Sequence, residues 1–497
     1  MVGNGQRLSV LDALFLHLES PQAHMHVGWS ALGRLPPDIE RPTLQAFRAR
    51  AESRLAWVPR CRQHLLFAPG GICEPRWVDD PHFDLDAHVV ALSDDDEPLS
   101  LRRFAELRDE LLSTPLDHSR PLWQIALFPR LADGRMGMVG RVHHTMADGA
   151  SALKVAALVL DVDESDGPVA PKRWSAAAAP SSAERTIDPF VHGAELTIGA
   201  VGDAVRAALR PQSSARRALS DAQRLSRALS RDLLTRAPDC ALNAELGPRR
   251  TLVGYSVGLD ELRPAAGRGA GALNDVMLAV VTGALRRLAL EREEPVEALK
   301  AMIPIDLRSA DERGTLGNHV SMVGIWLPLQ LPTAAARLEL LQIQTARFKD
   351  DGRAAGTRNV LSGLGLLPAP LRGAMLRALS PRAFNLTISS MPGPRTVLSA
   401  FGVALEQIYP VIPIAAQQAL SIGMFTYNRC VHFGMYADPD ALPHVTRLPA
   451  LMADEIRALR SLAAHDPQPA RAPTARRPSH PPTRAQDVAR AHKGSRP

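Results

Sequence analysis

Residues 141–150 read RVHHTMADGA and place two adjacent histidines just ahead of an aspartate–glycine pair. Histidine is the natural general base near neutral pH, because its unperturbed pKa is about 6.5. Neighbouring side chains of a strand point to opposite faces, so His143 and His144 cannot both face one ligand while a strand continues. One then serves chemistry and the other structure. On residue type alone, His144 as a base and His144 as packing stay equally open. Asp148 also carries two readings. It can hold an imidazole or an arginine in place, or it can cap a helix that starts at GASALKVAAL. Gly149 would permit a backbone conformation closed to other residues. A metal reading falls on spacing: there is no i, i+4 histidine pair and no third ligand nearby in sequence.

Other patterns are weaker. GYSVG (254–258) is formally G-x-S-x-G, but a nucleophile elbow needs a strand, a sharp turn and a long helix. Ser256 sits inside a strand-like run, and only LDELRP follows, closed by Pro264. GRGAGAL (267–273) lacks both GxGxxG spacing and a Walker lysine, so it reads as a loop rather than a phosphate cradle. LSGLGLLPAPLRGAMLRAL (361–379), with Arg372 and Arg377, fits a helix on a lipid surface. It fits equally a core-packing helix pair broken at Pro368 and Pro370. Cys61, Cys73, Cys240 and Cys430 form no CxxC pair. That suits a reducing, cytoplasmic setting and argues against a disulfide framework or a cysteine-based zinc site.

Elements of ordinary globular composition must position these residues: 45% of the chain is hydrophobic and 22% charged, enough apolar material for a large core. The net charge of +6 is a property of the tail, where the last 33 residues hold seven Arg or Lys against two Asp. The rest is near neutral, which argues against a nucleic-acid surface. The N-terminus lacks a secretory pattern, and no run reaches the roughly 18 apolar residues of a spanning helix. Any membrane contact is expected to be peripheral.

The expected organisation has four parts: an N-terminal unit (1–162), a linker with bridging helices (163–247), a C-terminal unit (248–464) and a basic, Pro-rich, disordered tail (465–497). In the first unit, 44–55 and 104–114 have helical spacing. PLWQIALFPRL and RMGMVGRVHH read as a hairpin joined through Asp133-Gly134. Its second strand delivers the two histidines. In the second unit, NDVMLAVVTGALRRLALE is a strong helix with Asn274 as its candidate N-cap. RRTLVGYSVGL, KAMIPIDLR, VSMVGIWLPL, AFNLTISSM, ALSIGMFTYN and RCVHFGMYAD read as strands. A helix over 444–464 closes the fold.

In this order the segments resemble the bacterial wax ester synthase/diacylglycerol acyltransferases, over nearly all of residues 8–462. The resemblance rests on LSVLDALFLHLES, MHVGW, PRCRQHL, FDLDAHV, PLDHSRPLW, HHTMADG (the family's HHxxxDG), NDVMLAVVTGALRRL, Gly317-Asn318, MPGP and FGMYAD. Two departures stand out, Ser390-Met391 before Pro-Gly-Pro and Arg429 after Tyr427-Asn428, and both are expected to bear on the acyl or alcohol pocket.

The resemblance implies an α/β (α+β) fold of the two-subdomain, CoA-dependent acyltransferase type, chloramphenicol acetyltransferase-like, with a tunnel between the halves. It implies acyl transfer from fatty acyl-CoA, as substrate rather than cofactor, to diacylglycerol or a long-chain alcohol, without metal or covalent intermediate. Diacylglycerol is the favoured acceptor by analogy. It gives His144 the base role, His143 a supporting one, and Asp148 a structural pairing with Arg62 or Arg308. Asn274 is placed near the carbonyl oxygen as oxyanion donor or helix cap. Contact with the inner membrane face or lipid droplets, without nucleic acid, completes the expectation. Rival readings are a condensation-type acyltransferase with another acceptor, a serine hydrolase using Ser256, and a non-catalytic lipid-binding protein.

Overall fold

The computed structural model describes residues 5–38, 40–69, 73–93, 97–161, 174–181, 184, 235–266, 272–294, 296–306, 318, 320–350, 369–379 and 383–465. Most of the expected linker and bridging helices, the Gly-rich 267–271, Arg308, Gly317, residues 361–368 and the tail beyond His465 lie outside these residues.

Two six-stranded mixed sheets carry the structure. The strands are β1 (Gln6–Arg7), β2 (His26–Arg34), β3 (Gln63–Leu66), β4 (Arg76–Asp79), β5 (Val89–Ala91), β6 (Trp123–Phe128), β7 (Arg135–His143), β8 (Thr251–Gly258), β9 (Leu299–Asp306), β10 (Val320–Leu327), β11 (Leu386–Pro392), β12 (Ser399–Ala400), β13 (Val403–Val411), β14 (Leu420–Tyr427) and β15 (Cys430–Ala437). The helices are α1 (Val10–Leu18), α2 (Leu44–Arg54), α3 (Leu101–Leu112), α4 (Gly149–Ala156), α5 (Leu259–Ala266), α6 (Ala272–Glu291), α7 (Ala334–Asp350), α8 (Ala369–Leu379) and α9 (Leu448–His465). The first sheet runs β12-β13-β2-β7-β6-β5 and the second β10-β9-β11-β14-β15-β8, while β1, β4 and β3 form a small third sheet.

The expected hairpin is present: β6 and β7 pair antiparallel from Trp123↔Val142 to Phe128↔Gly137, and Gly134 turns the chain at φ 79°. Both faces of β7 are covered, which explains its nearly continuous run of apolar and small residues. Gly140 lies under the Trp29 ring, and Gly137 faces Phe104. Helix α6 is buried along most of its length, from Val276 to Leu288, between the second sheet and helices α7 and α9. Pro264 lies inside α5 instead of closing it, so the helix runs on to Ala266.

The strand over 403–411 had no counterpart in the periodicity. It leaves the second half and pairs with β2 of the first sheet, from Leu405↔Gly33 to Val411↔Gly28. Space for this crossing comes from Gly423, Gly434 and Gly254, which sit at one level of β14, β15 and β8. A Cβ on Gly434 would lie 2.0 Å from the Pro410 carbonyl oxygen; on Gly423, 2.7 Å from Pro410 Cγ; on Gly254, 2.7 Å from the Tyr409 ring. The first glycine of GYSVG is therefore a packing residue. A core cluster drawn from both halves, including Leu32, Phe128, Val139, Leu252, Val411 and Tyr436, seals the same junction. Helix α3 adds polar ties: Arg108 donates to the Leu252 carbonyl at 2.6 Å, and Asp109 accepts from Thr251 Oγ1 at 2.6 Å.

One departure noted in the sequence has a different consequence from the expected one. Arg429 lies in the two-residue turn between β14 and β15, where Asn428 and Arg429 have φ of 45° and 60°. Its side chain is 81% exposed and pairs with Asp260 on the surface. It acts on a hairpin of the type that favours Asn-Gly, not on a buried pocket. In 361–379, the described part is α8, with Pro370 at its second position, where proline is tolerated. Helix α8 packs on α1, and Arg372 turns inward to pair with Glu74.

Two stability changes are expected in denaturant titrations. Arg429→Gly should raise stability by about 0.5–1 kcal/mol, because relief of a left-handed non-glycine residue outweighs glycine's added unfolded-state freedom. Gly434→Ala should lower it by about 1–3 kcal/mol, since the backbone oxygen facing the new Cβ cannot rotate away. Gly258→Ala, with only the Glu261 carboxylate nearby at 3.8 Å, is the control expected to change little.

Candidate active site

Strand β7 ends at His143, and the chain turns through 144–148 into α4. The turn is held from outside. The His143 amide donates to the Leu122 carbonyl at 2.9 Å, and the His144 amide to the Met25 carbonyl at 2.8 Å. Met25 itself takes φ 48°, a left-handed conformation unusual for its side chain. Leu122 and the buried Trp123 belong to PLDHSRPLW, so that segment supports the histidines through backbone as well as packing.

Helix α1 braces the turn. Ser9 caps it by accepting from the Asp12 amide at 3.1 Å. Asp12, Phe15 and Glu19, spaced three and four residues apart, share one face. The Asp12 carbonyl accepts from Thr145 Oγ1 at 2.8 Å. Asp12 Oδ1 accepts from the Asn318 backbone N–H at 2.9 Å and from its Nδ2 at 2.7 Å; Nδ2 also donates to the His144 carbonyl at 2.8 Å. The Phe15 ring stacks on His144, with centroids 3.7 Å apart and planes 12° from parallel.

The two histidine rings enter different surroundings. His143 is fully buried. Its Nδ1 accepts from the Thr145 amide at 3.1 Å, and its Nε2 lies 3.5 Å from Glu19 Oε1, near enough for attraction but too poorly aimed for a full hydrogen bond. His144 is only partly buried. Its Nδ1 is enclosed without a hydrogen-bond partner, and among the described residues none makes a hydrogen bond to its Nε2. Burial pulls the His144 pKa below its ordinary value, while the charge of Asp148 works the other way. Burial also lowers that of His143.

Asp148 is the N-cap of α4: it is 3% exposed, and its Oδ1 accepts from the Ser151 amide at 3.0 Å. Arg62, one arginine expected to pair with it, is bound to Glu52 at 3.1 Å instead; Arg308 lies outside the described residues. Gly149 is required for room rather than for its backbone angle. A Cβ there would meet Met391 Sδ at 2.3 Å, which brings the Ser390-Met391 departure to the edge of the turn. Asn274 is not the cap of its helix, because α6 starts at Ala272. Its Oδ1 is buried without a partner.

Ser256 lies within β8 and not at a strand–helix corner. Its Oγ is 2.7 Å from His432 Nδ1 and 3.1 Å from the Tyr409 hydroxyl, while among the described residues His432 Nε2 has no hydrogen-bond partner. An apolar recess lined by Cys240, Leu242, Leu285, Leu288, Leu299 and Leu442 sits in the second half among residues remote from the His144 turn. The tunnel implied by the resemblance is not traced by the described residues.

Sequence reasoning gave no role to Asp12, Phe15, Glu19, His118 or Asn318. Their segments stood out only as ordered family signatures, and no spacing rule links residue 12 to residue 318.

Mixed sheets in two halves, with a histidine turn at their junction, define the two-subdomain acyltransferase fold expected above. A wax ester synthase/diacylglycerol acyltransferase from Marinobacter aquaeolei VT8 has this fold, with a TM-score of 0.64, 24% identity and coverage of 92% of this chain and all of that one. The first condensation domain of the calcium-dependent antibiotic synthetase shares it at a TM-score of 0.58 and 19% identity, covering 93% and 97% of the two chains. The description "wax ester synthase/diacylglycerol acyltransferase catalytic domain" matches residues 8–277, and the family's C-terminal domain matches 316–460. The chain belongs to the wax ester synthase/diacylglycerol acyltransferase family. Among its relatives, the probable diacyglycerol O-acyltransferase tgs2 of Mycobacterium tuberculosis H37Rv is 30% identical over 465 residues, 90% of this chain and 97% of the relative. The probable diacyglycerol O-acyltransferase tgs1 of that strain is 27% identical over 462 residues, 91% and 95% of the two chains.

Asn318→Ala removes the side-chain donor to the His144 carbonyl and one of the two donors to Asp12 Oδ1, which keeps the backbone N–H, at a cost of about 1–3 kcal/mol. Steady-state kinetics should show kcat falling by about tenfold with KM for the acyl donor nearly unchanged. An unchanged kcat would mean that this clamp does not position the turn.

Proposed function

We propose that the chain moves a fatty acyl group from an acyl-CoA thioester to the hydroxyl of diacylglycerol, or of a long-chain alcohol, with His144 as general base. The observation that carries this reading is the His144 ring itself. Stacking on Phe15 and the ties to its backbone fix it, yet its enclosed Nδ1 has no hydrogen-bond partner and no described residue makes a hydrogen bond to its Nε2.

In the proposed reaction His144 Nε2 takes the acceptor's hydroxyl proton as that oxygen attacks the thioester carbonyl carbon. The C–S bond then breaks, and the imidazolium returns the proton to the leaving thiolate. A thioester is already activated, so direct transfer needs no acyl-enzyme. Asp148 lies where its charge favours the transient imidazolium, consistent with its upward pull on the His144 pKa. His143 supports the turn. By the family resemblance we assign Asn274 to the carbonyl oxygen, with its side-chain NH2 as the oxyanion donor; its Oδ1, which can only accept, is buried without a partner among the described residues. The arginine expected opposite Asp148 is Arg308 by this reading, because Arg62 is engaged by Glu52. No helix among the described residues is long and apolar enough to cross a membrane. We place the acceptor lipid's access at a membrane or droplet surface reached peripherally, with no nucleic-acid partner.

Purified protein given labelled palmitoyl-CoA with diolein or hexadecanol should yield triacylglycerol or wax ester, and the ratio ranks the acceptors. His144→Ala should abolish turnover while the fold persists, and His143→Ala should cost less; substantial turnover in His144→Ala would refute the base role. Fluorophosphonate should leave Ser256 unlabelled.

A pH profile supplies a further check. A histidine pKa lowered by burial keeps the neutral, proton-accepting form at more acid pH. The acid limb of kcat/KM is therefore expected below the ordinary value of about 6.5. A limb at 7 or above, assigned to His144, would contradict the burial argument.

A further inference from the structure

We propose that Glu19 is a positioning residue for this reaction: its carboxylate, shared between His118 and His143, fixes the tautomer of His143 and thereby the turn that presents His144. The inference rests on the proposed base role of His144 for its kinetic consequence, but its structural part stands independently.

Glu19 follows α1 directly, and its side chain is 16% exposed. His118 Nε2 lies 3.0 Å from Oε2 and 3.2 Å from Oε1, and His143 Nε2 lies 3.5 Å from Oε1. Burial alone would raise the Glu19 pKa. The hydrogen bond from His118 and the attraction of His143 overcome it and lower the pKa to about 2. The carboxylate is therefore ionised, and the same hydrogen bond raises the pKa of His118.

The tautomer of His143 follows from a backbone group that can only donate. The Thr145 amide points its hydrogen at Nδ1, so Nδ1 must carry a lone pair. Burial keeps the ring neutral, which places its single proton on Nε2, facing Glu19. The other groups around this ring offer no substitute acceptor. The His26 and His118 rings stand edge-on at 6.2 and 5.7 Å, and His26 Nε2 is engaged by the Leu116 amide at 3.3 Å. Arg141, whose charge adds to burial in lowering the pKa of neighbouring His26, is a cation. Without Glu19, the proton on Nε2 would face a buried region with no negative partner. The competing Nδ1–H form would collide with the Thr145 amide that starts the turn.

The three donor atoms lie within 4.8 Å of one another, a spacing that also suits a divalent cation. A metal on His143 Nε2 would require the lone pair there and the proton on Nδ1, against the Thr145 N–H. The Nε2–H assignment keeps the Thr145 hydrogen bond at Nδ1 and turns the proton toward the Glu19 carboxylate, whereas the metal assignment sets an N–H against the Thr145 N–H.

Histidine-selective 15N NMR of the full-length protein, with metal analysis of the same sample, decides the structural part whether or not acyl transfer is detected. His143, assigned by loss of its signals in His143→Gln, should be the Nε2–H tautomer without bound metal. An Nδ1–H form, or one equivalent of zinc whose removal shifts the His143 signals, would overturn the proposal. Kinetically, Glu19→Gln should lower kcat by roughly tenfold, a smaller loss than a wrong tautomer of the base itself would cause, with KM for palmitoyl-CoA within about twofold. Glu19→Asp, which keeps the charge, should recover part of the loss and provides the test if Glu19→Gln does not fold. A folded Glu19→Gln variant with wild-type kcat and an unchanged His143 tautomer would also overturn it. If the wild type shows the expected tautomer but no acyl transfer, it is the functional reading that fails.

Discussion

Tyr409 and Pro410 lie against three glycines at one level of three adjacent strands, and the joining of the halves depends on that contact. Strand β13 belongs to the second half by sequence and to the first sheet by hydrogen bonding. It can cross only if the second sheet presents no side chains where it passes. A Cβ on any of Gly254, Gly423 or Gly434 would fall within 2.0–2.7 Å of Tyr409 or Pro410. Well-packed interiors do not absorb an overlap of that size locally, so the change would separate the sheets. The His143–Asp148 turn lies on the sheet that receives β13, and Asn318 and Met391 reach it from the other half. The site is thus composite, and the glycine row fixes how closely its parts approach.

Within that frame α1 does the finer positioning. Three residues on one helical face reach three consecutive residues of the turn: Glu19 to His143, Phe15 to His144, and Asp12 to Thr145. A buried turn must satisfy its backbone polar groups without water. Here Met25, Leu122 and Asn318 do so, and the Asp12 carbonyl accepts from the Thr145 hydroxyl. None of these residues is reactive in itself. Together they leave the His144 ring with little freedom to rotate away from a productive pose, which is the condition under which proximity lowers a barrier.

The local elements were legible in the sequence because local rules govern them. The β6–β7 hairpin, helices α2 and α3 and the long α6 follow from periodicity and turn chemistry. The histidine turn stood out because a strand end followed by Asp-Gly is a recognisable corner. What escaped was non-local. Strand β13, in AFGVALEQIYPV, carries a glutamate and a glutamine on its partly exposed side and a proline near its end, so its alternation is blurred. Its partner is more than 370 residues away in sequence. Glu19, His118 and Asn318 are similar cases: each is an ordinary polar residue until the fold brings it to the turn. Gly149 was legible as special, but for the wrong reason, since its constraint is the Met391 sulfur and not a backbone angle.

Asp148 shows why the two readings of one residue need not compete. As a cap, its Oδ1 accepts the Ser151 amide and anchors the start of α4. As a charge, it opposes the effect of burial on His144. Burial keeps the imidazole neutral and so ready to accept a proton, but it also weakens the base and penalises the imidazolium formed in the proposed reaction. A carboxylate held rigidly by a helix amide offsets that penalty at the moment the charge appears, with no reorganisation of solvent. A cap that was free to move would provide less of this effect. In this site, anchoring the helix and tuning the proposed base are two consequences of holding one carboxylate still.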